Sequence, residues 1–130
     1  MPRSGAVSYE DIPALTGLDL EESYVLDIAV LETSLVLTLD LVLTSEHEGY
    51  TSPRPGEQHC FRRARVKISD ARSVRWVKKI MRAFRDSSGE TDYGSIDSWL
   101  LDGDLAVISG DWGVLEVNGG AVSLELDESR

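Results

Sequence analysis

Basic residues are scarce everywhere in this chain except one segment. Of thirteen Lys and Arg residues, only Arg3, Arg54 and Arg130 lie outside residues 62–85. Residues 62–86 hold ten bases against two acids, residues 1–61 hold two against eleven, and residues 87–130 hold one against ten. The formal net charge is −10. Cysteine is scarcer still. Cys60 stands alone, so no disulfide can form within the chain. A lone thiol fits a reducing compartment, and a cytoplasmic location is expected. Long apolar runs are also missing: Asp27, Glu32 and Asp40 interrupt the most apolar stretches, so no membrane span is expected. The first residues lack the apolar core of a signal peptide.

Motifs of known chemistry are absent too. There is no phosphate loop, no dinucleotide fingerprint, no Gly-x-Ser-x-Gly elbow and no His-Glu-x-x-His. No cofactor is expected. With 130 residues the chain reads as a single domain, 1–130, carrying a short flexible tail at 1–8.

What is present begins with a row of leucines. Leu35, Leu37, Leu39, Leu41 and Leu43 occupy alternate positions, the period of a strand with one buried face. Residues 24–31 precede it as a partner strand, with Tyr24, Leu26, Ile28 and Val30 assigned to one face and Asp27 to the other. Residues 11–17 read as a short helical turn ended by Gly17. Two prolines and two glycines punctuate a long loop at 45–58. A strand at 59–69 follows, with Cys60, Ala64, Val66 and Ile68 on one side and the row Arg63, Arg65 and Lys67 on the other.

Residues 71–85 fit an amphipathic helix at 100° per residue. Val74, Trp76, Val77, Ile80, Met81 and Phe84 form its apolar side, while Arg75, Lys79 and Arg82 belong to a basic face. Asp70 is a plausible N-cap, and Gly89 follows the helix. The remainder reads as strands at 95–101, 105–109, 114–117 and 121–126, the last two joined by a hairpin turn at Asn118 and Gly119. The expected fold is α+β: about seven mostly antiparallel strands, in the order βββ-α-ββββ, curved over one helix at 71–85.

Several side chains are candidates for function. Glu90, Asp92 and Asp97 surround Tyr93 in the densest polar stretch, and such carboxylates could serve a hydrolase. The alternative is a solvated turn. Glu46, His47, Glu57, His59 and Cys60 could be imagined around a metal, but the eleven residues between the two histidines match no standard ligand spacing. No metal site is expected. His59 is an unsuitable base for Cys60, because neighbours on a strand point to opposite faces. Trp112, between Asp111 and Gly113, is either an exposed binding anchor or a plug over the sheet end. Tyr93, Asp97, Asp111 and Trp112 are therefore the candidate binding residues.

The basic segment 62–85 has three readings. Its charges neutralise acidic strands of the same fold, or they dock an anionic partner, or the acidic majority surface docks a basic one. Internal neutralisation ranks first and the acidic surface second. Nucleic acid ranks last because the whole domain repels a polyanion. The composition points to a non-catalytic, acidic module that binds another protein, of toxin-neutralising (immunity-like) type, with an enzyme using Glu90, Asp92 and Asp97 as the competing class. Nothing in the sequence speaks to oligomeric state.

Overall fold

The computed structural model describes residues 7–85, 87 and 89–127. It is built from β-strands. In chain order they are β1 (Val7–Ser8), β2 (Leu18–Val30), β3 (Leu35–Leu43), β4 (Cys60–Lys79), β5 (Phe84–Arg85), β6 (Thr91–Asp92), β7 (Ile96–Asp102), β8 (Leu105–Gly110) and β9 (Gly113–Leu126). Seven of them form one antiparallel sheet in the order β1-β7-β8-β9-β4-β3-β2, and β5 pairs with β6 as a small separate ribbon. The tail assigned to 1–8 divides: Val7 and Ser8 pair with β7, and residues 1–6 lie outside the described residues. No helix among the described residues is long and apolar enough to cross a membrane.

The leucine row behaves as its period demands. Leu35, Leu37, Leu39, Leu41 and Leu43 are all buried and face Val25, Ala64, Val66 and Ile68 from the flanking strands. Burying one such side chain stabilises the fold by roughly 1.5–3 kcal/mol. The sheet curls so that its inner face becomes the core. Its far edges meet: the Val25 N–H donates to the Gly94 carbonyl, and the Tyr93 N–H donates to the Val25 carbonyl, each at 2.8 Å. That contact covers part of an edge that would otherwise invite pairing with another chain. Two single 3-10 turns, Tyr9–Asp11 and Pro13–Leu15, add Tyr9, Ile12 and Leu15 to the same core.

The helix expected at 71–85 does not exist, so the fold is not α+β. Residues 71–79 continue β4, which pairs with β9 along its length, including Val74 with Val117 and Trp76 with Leu115. Bulges explain the misreading. The register shifts between Ala71 and Ser73 and again between Trp76 and Lys78, and Asp70 takes a left-handed φ of 59° instead of capping a helix. Each bulge inserts a residue. With the left-handed Asp70 and the bulge after Ala71, the buried positions of β4 run Ile68, Ala71, Val74, a spacing of three that imitates a helical repeat. The supposed apolar stripe is largely solvated: Val77 is 48% exposed, Ile80 47% and Phe84 43%.

Two further expectations are corrected. There is no hairpin at Asn118 and Gly119, because β9 runs unbroken through them. Gly119 and Gly120 have φ of 76° and 95° and lie opposite the bulge of β4. A Cβ on Gly120 would sit 2.7 Å from Ile68 Cγ2, so the kink also requires closeness that only glycine permits. In β2 a register shift between Val25 and Asp27 moves Tyr24 to the outer face opposite Asp40, while Ile28 and Val30 stay on the inner side.

Candidate binding cleft

A second bulge in β2 lies beside a cleft in the surface. Between Asp19 and Tyr24 the ladder to β3 is interrupted. The buried Ser23 hydroxyl repairs it, donating to the Asp19 carbonyl at 2.7 Å and accepting from the Val42 N–H at 2.9 Å. This side chain replaces a backbone partner and leaves Glu21 and Glu22 both exposed. Glu21 accepts a short hydrogen bond from the Tyr9 hydroxyl. Burial, followed by the Glu21 contact, holds the Tyr9 pKa far above its ordinary value.

Glu22 lines a cleft of about 490 Å³ on the outer face. Its floor is cross-strand: Tyr24 and Leu26 of β2, Asp40 of β3 and Phe61 of β4. Gly56, Glu57, Gln58 and His59 form one wall, and Glu90, Thr91 and Asp92, at the β5–β6 ribbon, form the other. Tyr24 and Phe61 stack with ring centroids 6.1 Å apart and planes 22° from parallel. His59 meets the Phe61 ring edge-on at 5.8 Å and places Nε2 3.8 Å from Glu22 Oε2. Five carboxylates line the cleft with no lysine or arginine among them. Flat aromatic faces ringed by negative charge suit an organic cation.

The sequence-derived candidates scatter. Glu90 and Asp92 reach the cleft, but Asp97 does not. Asp97 stands exposed on β7, where partial burial of its carboxyl, then the charges of Asp111 and Glu21, raise its pKa. Asp111 lies against Gly94. Tyr93 packs on the core. Trp112 is fully buried, so it is the plug and not an exposed anchor. Its ring meets Trp76 at 6.0 Å, near perpendicular. Cys60 is buried beside Thr51, and the His47 Nδ1 accepts from the Gly49 N–H. Among the described residues no three His, Cys, Asp or Glu side chains are placed to hold a metal ion.

The basic row is largely engaged. Arg65 pairs with Glu125 at 3.0 Å and with Asp127 at 2.8 Å, and Lys67 shares Glu125 at 3.0 Å. The two cations lower the Glu125 pKa, Lys67 most. Arg72 pairs with Asp104 at 3.0 Å and Arg75 with Glu116 at 2.6 Å. Lys79 lies over the Trp76 ring, 5.6 Å from its centroid. Arg63 and Arg82 are exposed.

Glu22, Tyr24, Asp40, Glu57, His59 and Phe61 were not candidates from sequence as a cleft. They lie on three strands and a loop, and a reading confined to neighbours in sequence cannot assemble them. Cross-strand register was the missing signal: Tyr24 faces Asp40 only once the bulge at Leu26 is known. No family model, no curated protein and no solved structure matches this chain.

Proposed function

We propose that this chain is a protein-binding module that takes a basic partner into the acidic cleft. The observation that carries this is the stacked Tyr24–Phe61 pair set among five carboxylates, with no lysine or arginine among the residues that line the cleft. An arginine side chain from a partner would lie on the rings while its guanidinium bonds the surrounding carboxylates. The net charge of −10 would speed encounter with a basic protein. A toxin-neutralising, immunity-like role is one activity of this kind. Action in the cytoplasm is supported by the single, buried Cys60 thiol. A hydrolase reading is second. It draws on Glu90 and Asp92 sharing the cleft, and it loses Asp97, which stands elsewhere.

The test is a fluorescence-anisotropy titration of a labelled arginine-rich peptide, with a lysine-free acidic peptide as control. Tyr24→Ala and the pair Glu90→Gln with Asp92→Asn are each expected to weaken binding by about tenfold, the scale of one lost cation–π or charge-assisted contact. Equal affinity of wild type and both variants would refute the cleft as the docking site.

A further inference from the structure

β3 covers only the first part of β4. Their pairing runs from Leu43 with Cys60 to Leu35 with Ile68. One bond lies beyond it, from the Ala71 N–H to the Thr33 carbonyl at 2.9 Å. From 72 to 79, β4 pairs with β9 alone. The opposite edge of this stretch has no strand partner and takes no backbone hydrogen bond from a loop, among the described residues. Val74 is the one buried side chain along it. Such an edge is a row of donors and acceptors ready for another extended chain.

The side chains indicate which chain would fit. Residues 72–85 hold six bases and no acid. Arg72 and Arg75 are paired with Asp104 and Glu116. Lys78, Arg82 and Arg85 are exposed and make no ion pair among the described residues. Internal neutralisation thus stops short of the end of β4, in a molecule whose net charge is −10. Val77 and Ile80 stand exposed between these bases.

A second copy suits this edge poorly. Edge against edge, the bases of the two copies would meet, and like charges across strands destabilise pairing. Neither a nucleic acid nor a lipid surface offers the alternating donors and acceptors of a peptide backbone. At physiological salt, charges beyond about 8 Å are largely screened, so the distant acidic surface opposes a short acidic segment weakly. The bulge between Trp76 and Lys78 and the bases deter indiscriminate pairing, which leaves charge to select the partner.

From this open edge and its uncompensated bases we infer that β4 between 72 and 79 docks an extended acidic segment of a partner protein, added as a further strand. Backbone pairing supplies the affinity, and Lys78, Arg82 and Arg85 select for carboxylates. None of residues 72–85 lines the acidic cleft, so the site does not depend on how that cleft is used.

The probe is an eight-residue peptide of alternating glutamate and valine with blocked ends, added to the ¹⁵N-labelled full chain. Amide exchange with solvent within 72–79 should slow at least tenfold at saturating peptide, while Tyr24 and Asp40 in the cleft floor keep their rates. A fully N-methylated analogue keeps the charges and loses every backbone donor, and it should bind at least tenfold more weakly. Lys78→Glu, Arg82→Glu and Arg85→Glu together should also weaken the peptide at least tenfold. If that triple variant does not fold, Lys78→Gln with Arg82→Gln should weaken it at least threefold. The inference is overturned if exchange within 72–79 does not slow, if the N-methylated analogue binds equally well, or if the charge variant binds as wild type does. Protection of 72–79 in the free chain that grows with protein concentration would overturn it in favour of a second copy. Binding of phosphatidylserine vesicles in place of the peptide would overturn it in favour of a membrane surface.

Discussion

Trp112 donates its indole N–H to the Ser95 carbonyl across 3.1 Å, and this bond interlocks two segments of the chain. One is the run from Asp92 to Asp97, the other is Gly110 to Gly113. The Trp112 carbonyl accepts from the N–H groups of Ile80 and Met81, at 3.0 and 3.1 Å, as the chain leaves β4. Gly94, next to Ser95, carries the carbonyl that accepts from Val25. Together these contacts join the end of β4, the entry to β7 and the inner side of β2. Trp112→Phe keeps most of the packing and removes the donor. It is expected to cost about 1–3 kcal/mol in urea unfolding, because the Ser95 carbonyl loses a buried partner. Ser95→Ala retains that carbonyl and should leave the bond intact.

The same interlock explains why glycines recur there. A Cβ on Gly113 would lie 2.1 Å from the Lys78 carbonyl oxygen, and Gly113 has φ of 133°. A Cβ on Gly56 would meet nothing within 4 Å, at φ of 85°. Gly56→Ala should cost about 1–2 kcal/mol, from the left-handed conformation alone. Gly113→Ala should cost clearly more, since backbone must move as well. Chemical denaturation of the two variants side by side checks the order.

Core and surface substitutions separate the observed strand from the expected helix. Leu39→Ala should cost roughly 2–5 kcal/mol, as cavity-forming changes do. Phe84→Ala, at 43% exposure, should cost under about 1 kcal/mol. A helical 71–85 requires Phe84 to rank with Leu39. Leu39→Asp should abolish folding by leaving a carboxylate in the core, and Thr38→Asp, half-exposed on the outer face, should be tolerated. Melting curves of the four variants give the ranking.

Two carboxylates should respond to pH with opposite sign. Asp97 has a folded pKa raised by burial and by Asp111 and Glu21, so its charged form is penalised in the fold. That penalty is present above the folded pKa and vanishes as pH falls below the ordinary aspartate value. Asp97→Asn should raise the melting temperature at pH 7 and change nothing at pH 3. Glu125 has a lowered pKa from Lys67 and Arg65, so its pairing stabilises the fold above the ordinary glutamate value and fades as pH falls through the folded one. Glu125→Gln should lower the melting temperature at pH 7 and lose its effect in acid. The same sign for both variants would show that one environment is misassigned.

Much of the sheet was legible and the turn of events in β4 was not. Strict alternation at Leu35 to Leu43 reported a buried face directly, because no register shift interrupts the pairing of β3 with β4. In β4 the inward spacing stretches from two to three around the left-handed Asp70 and the bulge after Ala71, and a helical wheel absorbs such a spacing without complaint. Asn118 and Gly119 are strong turn formers locally, yet pairing to β4 and β8 carries β9 through them as one strand. Tertiary pairing overrides local preference at such points. Of the cleft, Glu90 and Asp92 were legible as a polar cluster. Tyr24, Asp40 and Phe61 come together only through register, and register followed from bulges that no local pattern announces.

The cleft and the basic residues of segment 62–85 are two charged surfaces that could meet a partner, and association kinetics separates them. Stopped-flow mixing with the arginine-rich peptide at low salt would compare wild type with two triple variants. One is Glu22→Gln, Glu90→Gln and Asp92→Asn in the cleft. The other reverses Arg75, Lys79 and Arg82 to glutamate, taking the chain from −10 to −16. The cleft variant is expected to associate several-fold more slowly, and added salt should erase much of the difference. The reversed variant should associate at least as fast as wild type. A cleft variant as fast as wild type, with a reversed variant that no longer binds, would contradict the central claim and make the basic segment 62–85 the docking site.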